Sequence, residues 1–239
     1  MTGHTTVQLA YDGSGIDGSL FTALTGFARD TAWLNAPMEL WTNAGLGVFA
    51  VLMIIGWWRA RARGPRAMTL ALAAPLCVLV AFAVTEVVKQ LVAEVRPCYS
   101  LPHAYFVDVC PVRGDYAFPS GHETVAAATV AALFLLDRRL SAVGALFALL
   151  EGFSRVYVGA HYPHDVVGSV VVALPVAYGA GLALGRVAVP LVTRLSTGVL
   201  RPALVAAGAA PAGTRPSVLA AQAVESVHDT AAGSSRTDG

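Results

Sequence analysis

The amino-acid sequence predicts an all-α, polytopic membrane bundle of about five to six transmembrane helices. Of the 239 residues, 56% are hydrophobic and only 13% are charged, whereas soluble globular domains contain about a quarter charged residues. Several apolar runs also approach the roughly 20 residues that a helix needs to cross a bilayer. The net charge of +1 argues against a nucleic-acid partner, because proteins that bind nucleic acids present strongly basic surfaces.

Five apolar runs are candidates for membrane-spanning helices. They lie near residues 38–58, 68–91, 121–136, 140–158 and 166–184. The fourth run is short and contains Glu151, so its ends are the least well defined. Ahead of the first run, residues 20–33 place apolar side chains at helical spacing between charged ends. This pattern favours an amphipathic helix on the membrane surface over a sixth span.

The composition divides the chain into three segments. Residues 1–36 form an N-terminal segment with the amphipathic helix, and residues 37–203 form the membrane domain. Residues 204–239 are rich in Ala, Pro, Gly, Ser and Thr and contain few large apolar side chains. Such a composition cannot bury enough apolar surface to fold, so this C-terminal tail is predicted to be disordered.

The arginines predict the orientation in a cell membrane. They crowd three segments, namely Arg59, Arg61, Arg63 and Arg66, then Arg138 and Arg139, and finally Arg186, Arg194 and Arg201. The positive-inside rule places all three segments, and with them the C-terminus, in the cytoplasm. The loops at residues 97–119 and 159–163 then face the extracytoplasmic side.

Three clusters of polar residues lie at the predicted outer ends of the spans, where ionisable groups are costly and therefore of functional interest. The first is Lys89 with Arg96 and Pro97. Seven positions are about two helical turns, so both cations would project from one face of a helix that ends at the proline. Two such cations suit a phosphate group. The alternative is that they snorkel to the interface or pair with Glu86 and Glu94.

The second cluster, residues 119–122, precedes the third run. Ser120 and Glu123 have the spacing of a capping box, which predicts a helix start at this point. A helix N-terminus offers free N–H groups to a phosphate, and Gly121 allows close approach of the backbone. His122 is placed to donate a proton to a leaving oxygen. The alternative is an ordinary helix start with an exposed histidine.

The third cluster contains Ser154, Arg155, His161 and Asp165. His161 and Asp165 are four residues apart and would share one face of a helix. The carboxylate can then hold one imidazole N–H and leave the other ring nitrogen free as a nucleophile, while Arg155 supplies a further cation. His164 lies off this spacing and is assigned a supporting role. The alternative is a His–Asp pair that only stabilises a turn.

Two cysteines, Cys98 and Cys110, bracket the predicted outer loop. They would form a disulfide if the loop faces an oxidising compartment, and two free thiols are the equal alternative. Cys77 lies within an apolar run and is predicted to be a small core residue.

The three clusters together resemble the signature of the type 2 phosphatidic acid phosphatase superfamily. That signature is Lys-x6-Arg-Pro, then Pro-Ser-Gly-His, then Ser-Arg-x5-His-x3-Asp, and it is complete here at residues 89–97, 119–122 and 154–165. The resemblance covers about residues 20–184. It implies an enzyme that hydrolyses a membrane lipid phosphate without metal or cofactor. The predicted topology places the site of this enzyme on the extracytoplasmic face.

The resemblance also implies the role of each site residue. His161 attacks phosphorus and becomes a phosphohistidine, Asp165 orients His161, and His122 protonates the leaving group. The phosphoryl oxygens are bound by Lys89, Arg96, Ser120, Gly121 and Arg155.

The surface helix ahead of about five spans resembles the undecaprenyl diphosphate phosphatases of the bacitracin-resistance type. This subgroup makes undecaprenyl diphosphate the favoured substrate, although some of its members have an acidic residue at the position of Gly121. Phosphatidic acid and phosphatidylglycerol phosphate are the alternatives.

Two other classes of protein fit the sequence less well than an enzyme does. A transporter would place charges near mid-span or show a paired repeat, and an inactive scaffold would lack catalytic residues. Here the charges lie mainly at span ends and the catalytic set is complete. The sequence does not indicate an oligomeric state.

Overall fold

The computed structural model describes residues 11–207, and helices make up nearly all of the secondary structure in that range. In chain order they are α1 (Ser14–Asp30), α2 (Ala32–Ala44), α3 (Leu46–Ala60), α4 (Pro65–Val92), α5 (Pro97–Ser100), α6 (Gly121–Leu136), α7 (Arg138–Tyr157), α8 (Pro163–Val187), α9 (Val189–Leu195) and α10 (Arg201–Leu204). Between residues 11 and 207, β structure is limited to one parallel bridge, from Tyr11 to Glu94. The prediction of an all-α fold is confirmed.

Helix α6 lies at the centre of the bundle and contacts α3, α4, α7 and α8. Its close packing against α4 and α8 depends on small side chains. Those buried in this cluster are Ala73, Ala74, Cys77 and Ala81 of α4, Ala127, Ala128, Ala131 and Ala132 of α6, and Ala173 and Ala177 of α8. Small residues let helix backbones approach closely, which is how helices associate in a membrane. Cys77 is a buried free thiol, as predicted.

The helices follow the predicted apolar runs, with one correction. Helices α4, α7 and α8 are long and apolar enough to cross a membrane, and α6 is a shorter apolar helix. The first run was predicted to be one continuous helix, but it is the pair α2 and α3, bent by 48°. The bend occurs at Gly45, where a Cβ atom would lie 2.6 Å from the carbonyl oxygen of Trp41. The chain is a multi-pass membrane protein.

The end of α4 also differs from the prediction. The helix stops at Val92 rather than at Pro97, because Ala93 adopts a left-handed conformation with φ 52°. The segment beyond it pairs with Tyr11, whose N–H donates to the Ala93 carbonyl over 3.1 Å and whose carbonyl accepts from the Val95 N–H over 2.8 Å. Arg96 therefore lies outside the helix that carries Lys89.

Helix α1 buries one face against the bundle. Its buried residues Gly18, Phe21, Thr25 and Ala28 recur at helical spacing, and the helix contacts α7 and α8. Most of the tail predicted to be disordered, from residue 208 onward, lies outside the described residues.

The loop between α5 and α6 is tied down at several points. A disulfide joins Cys98 to Cys110, so of the two alternatives the structure contains the bridge. The backbone N–H groups of Val107 and Asp108 both donate to the carbonyl of Val158, over 3.1 and 3.0 Å. The loop is thereby fixed over the turn that joins α7 to α8.

Candidate active site

A cavity of about 320 Å³ lies where the end of α4, the start of α6 and the α7–α8 turn meet. The residues that line it include six of the predicted site residues, namely Lys89, Arg96, Gly121, His122, Arg155 and His161. Three motifs that are far apart in the chain thus share one cavity. Their individual roles remain predictions.

His161 is held by both ring nitrogens. Its Nδ1 lies 3.2 Å from Asp165 Oδ2, and its Nε2 lies 2.8 Å from Arg96 Nη1. A guanidinium can only donate hydrogen bonds, so Nε2 carries the lone pair and Nδ1–H donates to the carboxylate. Burial, together with the positive charges of Arg96 and Arg155, lowers the pKa of His161 well below its ordinary value. The ring is therefore neutral, with its lone pair on Nε2.

The prediction that His161 and Asp165 share a helix face is wrong in detail. His161 lies in the turn before α8, and only Asp165 is in that helix. The turn is closed by the backbone N–H groups of Ala160 and His161, which donate to the Arg155 carbonyl over 3.0 and 3.2 Å. Asp165 Oδ2 reaches back to accept from the Tyr162 N–H over 2.9 Å, and so it holds the turn and the imidazole together.

Arg96 is fixed by a network that reaches into the outer loop. Its Nε and Nη2 donate to the carbonyl and to Oδ1 of Asp115 over 3.1 and 2.9 Å, and Nη1 also donates to the Ala160 carbonyl over 3.0 Å. Because Asp115 follows the disulfide-linked segment, the outer loop sets the direction of the guanidinium.

The other two cations are also partnered at the cavity wall. Lys89 Nζ lies 3.4 Å from Glu86 Oε1, and Arg155 Nη1 donates to Thr42 Oγ1 over 2.5 Å. Three cations thus converge from α4, α7 and the segment after α4. Convergent positive charge of this kind favours binding of a phosphoryl group.

The start of α6 lacks the predicted capping box. Ser120 is the N-cap residue, but its side chain makes no capping hydrogen bond and its buried Oγ has no partner among the described residues. Its N–H donates to the Asp165 carbonyl over 3.3 Å. Glu123 does not fold back, because its carboxylate is buried near Gly152 of α7, where a Cβ atom would meet Oε2 at 3.1 Å. Ser120 does not line the cavity, and its role in phosphate binding stays a prediction.

Gly121 and His122 do lie at the cavity. A Cβ atom at Gly121 would be 3.3 Å from the ring of Phe82 and 4.0 Å from Lys89 Nζ. The glycine therefore leaves open the space in front of the lysine, and His122 is half-buried beside it.

Sequence reasoning missed two acidic residues of the outer loop that line the cavity, Asp108 and Asp115. They lie between two motifs, in a segment without helical periodicity, and only the folding of the loop over the α7–α8 turn brings them to the site. It also gave no role to Asp17, which contacts His164. No spacing rule connects residues 147 positions apart.

A trio behind His161 has ligand atoms close enough for a metal ion. The side chains of Glu94, His164 and Asp165 each offer one atom within 4.8 Å of the others. None of the three lines the cavity.

Known proteins are similar to this chain in sequence. The chain is 28% identical to undecaprenyl-diphosphatase BcrC of Bacillus subtilis over 159 residues, which are 66% of this chain and 79% of that protein. It is 32% identical to the lipid A 1-phosphatase of Rhizobium etli over 149 residues, 60% of this chain and 61% of that protein.

Among solved structures, the fold is similar to the crystal structure of a transmembrane PAP2 type phosphatidylglycerolphosphate phosphatase from Bacillus subtilis. The TM-score is 0.52 at 22% identity, with 70% of this chain and 84% of that chain covered.

The family model of the PAP2 superfamily matches residues 70–195. This span runs from α4 to the end of α9 and contains all three motifs. The chain therefore belongs to the PAP2 superfamily.

Proposed function

We propose that the protein removes phosphate from undecaprenyl diphosphate through a phosphohistidine formed on Nε2 of His161. The broader assignment is established: membership of the PAP2 superfamily and the phosphatases among its relatives make the chain a lipid phosphate phosphatase. The observation that carries the mechanism is the neutral His161 ring, held by Asp165 on one nitrogen and capped by Arg96 on the other.

In the first step, Nε2 of His161 attacks phosphorus and the bond to the leaving oxygen breaks. Arg96 gives up its hydrogen bond to Nε2 and turns to a phosphoryl oxygen. His122, on the cavity wall, donates its proton to the leaving oxygen. Asp165 stabilises the positive charge that develops on the ring through Nδ1–H.

In the second step, a water molecule attacks the phosphohistidine. His122, now neutral, accepts the proton of that water, and inorganic phosphate leaves while His161 regains its lone pair. Lys89, Arg96 and Arg155 stabilise the charge on the equatorial oxygens in both steps, because phosphoryl transfer depends mainly on positioning and electrostatics.

Two features support a lipid diphosphate as the substrate. The cavity lies at the end of apolar helices, and Leu46, Phe82 and Val125 contribute to its wall. Undecaprenyl-diphosphatase BcrC, of which 79% is covered by the match, points to the isoprenoid diphosphate. Phosphatidic acid and phosphatidylglycerol phosphate are the second candidates, supported by the likeness in fold to a phosphatidylglycerolphosphate phosphatase.

We propose that the site faces the extracytoplasmic side and that the C-terminus is cytoplasmic. The cavity lies at the end of α4 and the start of α8, whereas Arg59 and Arg63 pair with Asp137 near the opposite helix ends. The positive-inside rule favours this orientation. The disulfide between Cys98 and Cys110 supports it, since disulfides persist in oxidising compartments.

The first prediction concerns the nucleophile. Purified protein in detergent with EDTA should release phosphate from undecaprenyl diphosphate faster than from phosphatidic acid or phosphatidylglycerol phosphate. His161→Ala should lower kcat by at least about 10³-fold, because the covalent route is lost.

His103→Ala is the matched control, because it removes an exposed histidine of the outer loop and should leave kcat unchanged. Turnover that EDTA abolishes, or His161→Ala with the activity of the wild type, would contradict the mechanism.

The second prediction concerns pH. Because burial and nearby cations lower the pKa of His161, its protonation should reduce kcat/KM only well below pH 6.5. Arg96→Gln removes one of those cations, so the pKa of His161 should rise and the acid limb should move to higher pH. Titration of both proteins on one lipid checks this, since substrate ionisation is then the same. If the acid limb of the Arg96→Gln variant stays at the same pH, or moves to lower pH, His161 is not the titrating base.

The third prediction tests the orientation and the disulfide together. A membrane-impermeant maleimide added to intact cells should label the protein only after a reductant has opened the Cys98–Cys110 bridge. The Cys98→Ser/Cys110→Ser double variant should remain unlabelled, since the remaining Cys77 is buried. Labelling without reductant would exclude the bridge, and labelling that requires permeabilised cells would place the loop in the cytoplasm.

A further inference from the structure

We propose that His164 is a positioning residue: a partly buried imidazolium that holds the Asp165 carboxylate in place for His161 and links α1 to the active site. The inference rests on the proposed function and extends it to residues that the three motifs do not specify. It begins with the hydrogen bonds of the His164 ring.

Both ring nitrogens of His164 face carboxylates. Nδ1 lies 2.8 Å from Asp17 Oδ1, and Nε2 lies 2.8 Å from Glu94 Oε1. An ionised carboxylate can only accept, so each ring nitrogen must donate, which requires the doubly protonated ring. The backbone N–H of His164 donates to the second oxygen of Asp17 over 2.7 Å. The side chain is therefore a fixed cation.

Two aromatic rings stack near this cation. Tyr162 lies 5.4 Å away, centroid to centroid, with its plane tilted by 14°, and Phe118 lies 6.2 Å away at 24°. The negative faces of aromatic rings attract a cation at such distances. The packing thus favours the charged form of His164 over the neutral form.

Asp165 needs a cation at this place. Its Oδ1 is buried and makes no hydrogen bond among the described residues, and Glu94, 1% exposed, brings a second carboxylate close to it. Within 4.0 Å, residues 11–207 offer Asp165 two ring partners, His161 and His164. His161 is neutral before attack, so among these two rings the positive charge is that of His164, whose Nε2 is 3.6 Å from Oδ1. An unpaired buried carboxylate would be costly.

Helix α1 contributes Asp17, the hydrogen-bond partner of His164 Nδ1. A Cβ atom at Gly13 would lie 2.9 Å from Cε1 of His164 and would overlap Glu94 Oε1, so a larger residue at this position would displace one of the two side chains. Tyr11 fixes the neighbouring backbone by bridging to Glu94. The family match starts only at residue 70, so Asp17 and Gly13 are contributions of this chain from outside that match.

A metal ion held by Glu94, His164 and Asp165 is the competing interpretation. The close contact of Nε2 with Glu94 Oε1 and the bond from Nδ1 to Asp17 favour a proton on each nitrogen instead. The two interpretations differ in their response to added metal, which the experiment below includes.

The test compares His164→Gln with Asp17→Asn. Glutamine at position 164 can still donate a hydrogen bond but carries no charge. Asparagine at position 17 weakens the contact between α1 and His164 and leaves Asp165 unchanged. We expect His164→Gln to lower kcat by at least about tenfold, the scale of loss when a catalytic group is slightly misplaced. KM should stay within about twofold, because the cations that bind phosphate are unchanged. Asp17→Asn should shift kcat in the same direction by a smaller factor.

His103→Gln is the matched control, since it makes the same replacement at an exposed histidine and should change neither constant. All four proteins are assayed with EDTA on undecaprenyl diphosphate, and their Tm values are measured with and without added Zn²⁺. If His164→Gln does not fold, Asp17→Asn decides the question, because its side chain is 17% exposed in the native protein.

The outcomes separate the two proposals. An inactive wild type would overturn the proposed function itself. An active wild type with variants of unchanged kcat would overturn only the role of His164, even if their Tm values fall. A Zn²⁺-dependent rise in the Tm of the wild type that His164→Gln abolishes would also overturn that role, and would assign the trio to a metal. The role of His164 is supported if the variants lose kcat while KM and the response of Tm to Zn²⁺ stay unchanged.

Discussion

The proposed chemistry depends on one imidazole that is bound on both sides. Asp165 accepts from Nδ1 of His161, and Arg96 donates to Nε2. These two contacts set the tautomer, the direction of the lone pair and the neutral charge of the ring. Each partner is itself held by another part of the chain, Arg96 by Asp115 of the outer loop and Asp165 by the turn before α8. The surrounding structure can thus be understood as support for this one ring.

The bundle provides that support by bringing helix ends together. Alanines between α4, α6 and α8 allow close packing. As a result, the end of α4 and the starts of α6 and α8 lie close together at the cavity. The disulfide-linked loop then covers the cavity and delivers Asp115 to Arg96. The three cations of the cavity come from separate segments, so the proposed phosphate binding requires the assembled bundle.

Patterns of composition and spacing predicted much of this arrangement. The apolar runs predicted α4, α6, α7 and α8 because each of these helices is apolar along most of its length, and the three motifs identified six of the residues that line the cavity. Details set by tertiary contacts were not predictable. Helix α4 ends at Val92, before Arg96, because the backbone from Ala93 onward pairs with Tyr11 instead of continuing the helix. Glu123 turns into the bundle instead of capping α6, and Asp17 reaches His164 across 147 positions. The spacing of residues in a sequence predicts which side chains are neighbours on the same helix. It does not predict which distant residues are brought together by folding.

The most direct test is to trap the covalent intermediate. The protein is mixed with lipid diphosphate labelled with ³²P at the terminal phosphate, quenched in alkali within one turnover, and digested for mapping of the labelled peptide. We predict a phosphate that is stable in alkali, labile in acid and located on His161. Label on another residue, or no protein-bound label while phosphate is released, would contradict the account.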